Sequence, residues 1–335
     1  MFFETGKLPF ELLNEMTARY GSKDPSVILP PGPGRDAAVI DIGHSYLVAK
    51  SDPIIFATDA IGWYVVHINA NDIACMGATP RWFLVTLMFP ESGTDRALVE
   101  KVFAQMNEAC EQLGVTLVGG HSEIAYGVDR VIVSGHMLGI VEKEKLVTPA
   151  NAREGDCILL ANSFPIEATG LIAREKAKEL KQLGFTEAEI QQAAQMIFDP
   201  GISVVKAAGV ATSSGTVHSM HDPTEGGVAT GIVELALGSG LGADIEFDAL
   251  PCIELGARIC SSLGLDPLGA FASGSLLLTV PADSVAGVMS GLAAERITAS
   301  KIGVLTAPGG EIRMRRDGKW IPVPHFHRDE VAKLF

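Results

Sequence analysis

The stretch NANDIACMGATPRWF, residues 69–83, constrains the chain more than any other. It sets Asn69, Asn71 and Asp72, with no neighbouring charge, ahead of a run that otherwise reads as buried helix and strand. Carboxylates seldom enter such surroundings unless paired, hydrogen-bonded or bound to a metal. Whatever fold this chain adopts must bring a partner to Asp72.

The 335 residues suggest two domains, expected at 1–150 and 151–335. Hydrophobic content of 47%, only 20% charged residues and 36 glycines point to a compact, turn-rich α/β chain. A net charge of −14 argues against nucleic acid, because little here would neutralise a row of phosphates. A nucleotide remains open if a divalent cation stands between the two sets of negative charge. No apolar run reaches the roughly 18–20 residues that span a bilayer. The five cysteines show no C-x-x-C spacing and sit among apolar neighbours, so reduced core thiols and a cytoplasmic protein are expected.

Along the chain, a short amphipathic helix after Lys7 leads to the loop PPGPG, residues 30–34, and to strands at 37–42 and 46–54. A helix is expected over 62–76. A buried strand WFLVTLMFP follows, then a helix over 94–113 with Thr94 as N-cap and Gly114 as its stop. VTLVGGHSEI and RVIVSGHMLGIV read as two further strands. After an interruption at 148–156, the pattern alternates again: CILLANS, a helix over 167–183, a charged helix over 186–196, then HSMHDPTEGGVATGIVELALGSG as strand end, loop and helix. ADIEF, SLLLTVP and ITASKIGVLT complete the α/β alternation.

Four aspartates share one setting, a turn beside an apolar strand or helix start: Asp36, Asp59, Asp72 and Asp222. Converging acids of this kind suit magnesium, which takes a few carboxylate oxygens together with phosphate and water. Singly, each is better explained as a helix or turn cap, but four together, each beside small residues that let a ligand approach, favour the metal. Two glycine elements fit an anion: PPGPG, with Gly32 and Gly34, and the helix start at Gly226–Gly227. Neither is a P-loop or a Rossmann fingerprint, and each is equally an ordinary turn.

The segments GRDAAV, ATD, NANDIACMGATPRW, LVGGHSE, MHDPTEGG and ASGSLLLTV, in this order, resemble one superfamily over nearly the whole chain. It contains aminoimidazole ribonucleotide synthetase, selenophosphate synthetase, thiamine-monophosphate kinase and the hydrogenase maturation protein HypE. NDIACMGA and HDPTEGG are its specific segments, and the likeness is strongest to HypE-like, AIR synthase-related proteins. The resemblance implies a two-domain PurM-like fold, α+β in its first domain and α/β in its second, with the first domain's sheet pairing across a homodimer. It implies ATP in a cleft between domains, with Mg2+ held by Asp36, Asp59, Asp72 and Asp222. Asn71 would orient the cluster or a phosphate; Arg35 would contact phosphate or mark weaker metal binding; Lys50 would meet phosphate, though a surface lysine is the simpler reading. Arg35 stands where many relatives carry the first acid of a paired G-D-D-A. HypE proteins also carry a C-terminal cysteine that receives a carbamoyl group, whereas this chain ends PVPHFHRDEVAKLF and its last cysteine is Cys260. The HypE manner of making cyanide is therefore not expected on this tail.

In GGHSE, Glu123 is an additional candidate ligand and His121 a candidate substrate contact; an exposed strand-end turn explains both equally well. Zinc at His218/His221 or His325/His327 is disfavoured, because no third ligand stands at suitable spacing. Glu167, opening a helix, either faces the cleft or matches the helix dipole. The expected function is an ATP-dependent, HypE-like enzyme that phosphorylates a substrate oxygen on a small molecule or protein tail. A small-molecule kinase or a non-catalytic ATP-binding partner remains open, and neither nucleic acid nor membrane is expected.

Overall fold

The computed structural model describes residues 8, 10–21, 24–29 and 35–335. The PPGPG loop, with Gly32 and Gly34, lies outside them. Helix α1 (Phe10–Tyr20) precedes β1 (Val27–Leu29), β2 (Ala38–Asp41), β3 (Tyr46–Ile54), α2 (Ile61–Cys75), β4 (Thr79–Pro90), α3 (Arg96–Leu113), β5 (Thr116–Ala125) and β6 (Ile132–Val141). The six strands form one sheet in the order β1-β2-β3-β6-β4-β5. All neighbours are antiparallel except β4 and β5.

Strand β6 alternates without a break between buried and half-buried residues, the period expected of a strand with one face on a core. Its glycines decide where α2 lies. A Cβ on Gly139 would stand 2.2 Å from Ile73 Cγ2, and one on Gly135 would stand 2.4 Å from Asn69 Nδ2. The helix therefore presses directly on the sheet. Every residue of α2 is buried, and that burial carries Asp72 inside. Helix α3 is capped by Asp95, whose side chain accepts from Leu98 N, rather than by Thr94, and it stops at Gly114 with φ 65°.

The second half contains β7 (Cys157–Ala161), α4 (Ile166–Glu175), α5 (Ala177–Gln182), α6 (Glu187–Gln195), α7 (Val205–Ser214), β8 (Ser219–His221), α8 (Gly227–Ser239), β9 (Leu241–Glu246), α9 (Glu254–Ser262), β10 (Leu276–Val280), α10 (Val285–Ala294), β11 (Ala299–Pro308), β12 (Ile312–Arg316) and β13 (Lys319–Pro322). Its seven strands run β13-β12-β9-β11-β7-β10-β8. The helix expected over 167–183 is broken at Lys176, which leaves helical geometry at φ −121°. Thr186 and Glu189 form the capping box that starts α6.

The two halves share a hydrophobic core. One buried cluster runs from the first sheet through α2 and α3 into α4, α6 and α9. Polar ties cross the same seam. Trp63 Nε1 donates to Ile197 O at 3.0 Å, and the Thr58 N–H donates to Glu175 Oε1 at 2.9 Å. Four cysteines are buried as expected, whereas Cys252 is exposed; all five are free. Among the described residues no helix is long and apolar enough to cross a membrane.

Candidate functional site

Three of the four aspartates converge at the seam. Asp36 stands just before β2, Asp72 in the last turn of α2, and Asp222 directly after β8; all three are buried. His221, the last residue of β8, ties the halves together. Its Nδ1 lies 2.7 Å from Asp36 Oδ1, and its Nε2 lies 3.1 Å from Glu234 Oε2. Burial opposes a charge on this ring, but Asp36 and Glu234 outweigh it and hold the imidazole protonated well above its usual range. With both ring N–H groups donating, neither nitrogen has a lone pair for a metal.

Asp72 finds its partner in Lys50. The ammonium donates to Asp72 Oδ1 at 2.9 Å and lies 3.6 Å from Asp52 Oδ2. Burial works against its charge, yet Asp72, Asp52 and Asp36 keep it protonated above the ordinary lysine range. Asp52 was not singled out from the sequence. It sits two residues from Lys50 on β3, so both face the same side of the sheet. That spacing was the available signal.

Each of the three buried carboxylates has one oxygen engaged and one open. Asp36 Oδ1 is taken by His221, Asp72 Oδ1 by Lys50, and Asp222 Oδ1 lies 3.7 Å from Cys75 Sγ. The Oδ2 atoms of all three are buried without a hydrogen-bond partner. Orphaned buried carboxylate oxygens are costly, about 1–3 kcal/mol or more each. A divalent cation removes that cost. Asp36 and Asp222 belong, with His221, to a grouping whose ligand-type atoms lie within 4.8 Å of one another among the described residues, and with His221 protonated it is the two carboxylates that remain available to an ion. The hard oxygen donors suit Mg2+. The strain shows in protonation as well: burial, and then the Asp36 charge, push Asp222 up to about 7.

Other expected residues lie elsewhere or are otherwise engaged. Asp59 does not join the cluster; Lys101 and Arg174 each donate to one of its oxygens at 2.8 Å. Asn71 is fully buried, and both ends of its amide are taken by backbone groups of the second half. Its Nδ2 donates to Ile202 O, and its Oδ1 accepts from Val204 N, both at 2.8 Å. Gly226 and Gly227 do not present free N–H groups: the first donates to Asp329 Oδ2 at 2.8 Å and the second to Thr224 O at 3.0 Å. Both adopt positive φ, 86° and 67°, and a Cβ on Gly227 would meet Leu268 O at 2.4 Å. Close packing explains these glycines.

Lys50 contacts acids where a phosphate was expected. Arg35 is exposed beside Asp36. His121 and Glu123 lie 3.3 Å apart on β5, the exposed edge strand, rather than in the cluster. Glu167 is buried in the first turn of α4, with Ser273 N donating to it at 3.3 Å. His218 binds Asp156 at 2.8 Å rather than sharing His221's partners, and His325 and His327 pack together on an exposed segment with ring centroids 4.6 Å apart and ring planes tilted by 54°.

Two mixed α/β halves that share a core, with a carboxylate cluster on their seam, define a two-domain PurM-like protein. The chain belongs to the family of AIR synthase related proteins: the profile of that family's N-terminal domain matches residues 34–141 and that of its C-terminal domain residues 153–315. A putative hydrogenase expression/formation protein of Methanocaldococcus jannaschii is 30% identical over 251 residues, covering 73% of this chain and 71% of that protein. The carbamoyl dehydratase HypE of Rhodobacter capsulatus is 27% identical over 307 residues, 87% of this chain and 86% of its own. Among solved structures, hydrogenase maturation protein HypE in complex with ATP superposes with a TM-score of 0.73 at 23% identity, over 96% of this chain and 95% of that one.

Proposed function

We propose that the chain is an ATP-dependent, HypE-like enzyme that phosphorylates an oxygen of its substrate. One observation carries this reading: three buried carboxylates from separate elements of both halves each hold one oxygen open on the domain seam. Asp36, Asp72 and Asp222 would hold Mg2+, and the bound ion supplies the positive charge that phosphate oxygens need. The protein's own residues do the positioning. His221 fixes the plane of Asp36, Lys50 fixes that of Asp72, and Asn71 locks the helix carrying Asp72 to the second half. Burial of this network excludes water and strengthens each electrostatic contact. The HypE and ATP named for the similar proteins agree with this chemistry.

A homodimer is part of the proposal. Strand β5 closes one edge of the first sheet, is exposed along nearly its whole length and carries Leu117, Val118 and Ile124 in the open, with Tyr126 just beyond it. Such an edge is normally covered. A second copy seated there would place His121 and Glu123 at the interface, facing whatever lies across it.

The test is ADP formation by the full chain with Mg2+–ATP, alone and with amide- or carboxylate-bearing acceptors. Acceptor-stimulated ADP supports the proposal, and analysis of the product shows whether phosphate stays on it, as in a kinase. ATP binding with no turnover under any condition would contradict it in favour of a non-catalytic binding partner.

A further inference from the structure

We propose that Glu167 takes the substrate's proton during phosphoryl transfer, in a pocket beside the carboxylate cluster that is built for an uncharged acceptor. The inference rests on the proposed function and adds to it a catalytic residue and a substrate class. Glu167 is only 6% exposed, and the one hydrogen bond to its carboxylate among the described residues comes from Ser273 N, at a long 3.3 Å. Beside it, Ser273 Oγ and Tyr64 Oη are buried with no hydrogen-bond partner. After burial itself, the Glu167 charge does most to raise the Tyr64 hydroxyl. Native interiors leave few polar groups unpaired, and a ligand that bonds to these removes their cost.

The pocket is held rigidly. Ala168 N donates to Phe271 O at 3.1 Å, Asn162 Nδ2 to Gly274 O at 2.8 Å and Ser275 Oγ to Ser163 O at 3.0 Å. The start of α4 and the turn before β10 are thus one piece. Tyr64 comes from the other half, on the same helix as Asp72 and about 12 Å before it along the axis. Asp52 acts on Lys50 and Glu167 alike, and Glu225, which also acts on Glu167, stands three residues after Asp222. Glu167 therefore lies next to the cluster and outside it.

An acceptor oxygen that attacks the γ-phosphorus of ATP forms a P–O bond as the bond to the β–γ bridging oxygen breaks, and ADP leaves with that electron pair. The acceptor also gives up a proton, from its O–H or, for an amide, from nitrogen as the carbonyl oxygen attacks. The Glu167 carboxylate receives it. Burial pushes this carboxyl up to about 7 against the pull of Ser273, so near neutrality it is ionised often enough to accept a proton and basic enough to hold it. The charges that face it, Asp52, Glu225 and Asp329, are all negative, and Tyr64 is neutral. They repel an anionic acceptor and admit an uncharged one.

The test is ADP formation by the full chain with Mg2+–ATP across a pH series. Water is the first acceptor, since it too gives up a proton, followed by formamide, acetamide and urea against formate and acetate. Wild-type kcat/KM is expected to rise about tenfold per pH unit up to about pH 7 and to level off above it. Glu167→Gln is expected to lose that rise and about 100-fold or more in kcat, with ATP affinity by calorimetry within about threefold of wild type. The retained affinity separates a lost base from a damaged fold. A folded Glu167→Gln protein with kcat within about threefold of wild type, or with the pH rise intact, overturns the proposal. Should that variant not fold, Glu167→Asp decides: its shorter carboxylate should keep the rise and lose about tenfold in kcat, and an unchanged kcat overturns the proposal. Stimulation by the acids equal to or above that by the amides overturns the uncharged acceptor. No ADP from the wild type under any condition sinks the proposed function and this inference with it, whereas ADP made as fast by Glu167→Gln sinks this one alone.

Discussion

Asn71 and Val204 join the two halves of the molecule: the Val204 N–H donates to Asn71 Oδ1 at 2.8 Å, while Asn71 Nδ2 donates to Ile202 O. One side chain thereby satisfies a donor and an acceptor of the opposite half with no exposure to water. Asn71→Ala leaves both backbone groups buried and unpaired, at about 1–3 kcal/mol each. The expected loss in urea unfolding is about 2–4 kcal/mol. A variant as stable as wild type would show that this tie contributes nothing.

Asp59 separates the structural from the sequence-based assignment. Its carboxylate is 40% exposed and held by Lys101 and Arg174, so its ion pairs contribute about 1 kcal/mol or less after solvent screening. Asp59→Asn is therefore expected to leave Mn2+ affinity unchanged and to lower stability only slightly. A loss of metal comparable to that of Asp72→Asn would return Asp59 to the cluster.

Gly226 is expected to tolerate no side chain. At φ 86° an alanine is strained, and its Cβ would stand 2.6 Å from Thr230 Oγ1 and 3.0 Å from the Phe326 carbonyl. Gly226→Ala should cost about 1–3 kcal/mol through backbone strain and the displaced 326–329 segment. Hydrogen exchange at the α8 N-terminus should rise in step; unaltered protection there would refute the packing role.

Stability should fall as pH rises toward 8. Burial pushes Glu167 up to about 7 and Asp329 up to about 8, so the folded state holds both protons more tightly than the unfolded chain does. The unfolded state binds fewer protons between about pH 4 and pH 8, and the unfolding free energy therefore declines across that window. The contribution is fully present below the ordinary carboxylate range and lost by about pH 8. Asp329→Asn, which cannot ionise, should flatten the upper part of the slope, from about pH 6 to pH 8, in a Tm series. An identical slope in wild type and variant would show that Asp329 does not titrate there.

Much of the fold was legible because period and punctuation agreed. The strand at 46–54, the helix around Asn71–Asp72 and the stop at Gly114 follow from alternation, apolar run and glycine. Helices α9 and α10 and strands β12 and β13 were not singled out. The break at Lys176 was also hidden, since nothing in AREKAKEL interrupts helical propensity.

The site was half legible. Asp36, Asp72 and Asp222 were found as acids at element ends, but the same rule also admitted Asp59, whose partners Lys101 and Arg174 come from α3 and α4. Pairing across elements is a tertiary fact. Gly226–Gly227 misled for a related reason, because Asp329, about a hundred residues onward, supplies the acceptor oxygen that a phosphate was expected to provide. Asp52 and Lys50 lay in plain view two residues apart, and only the sheet face they share showed that they act together.

The most direct test of the account is calorimetric titration of ATP into the wild-type chain and Asp222→Asn, with Mg2+ and with a chelator in its place. The account predicts binding by the wild type that requires Mg2+, and a loss of about tenfold or more, or about 1.4 kcal/mol, in the folded variant. Equal ATP affinity in both proteins, unchanged when the metal is removed, would contradict it.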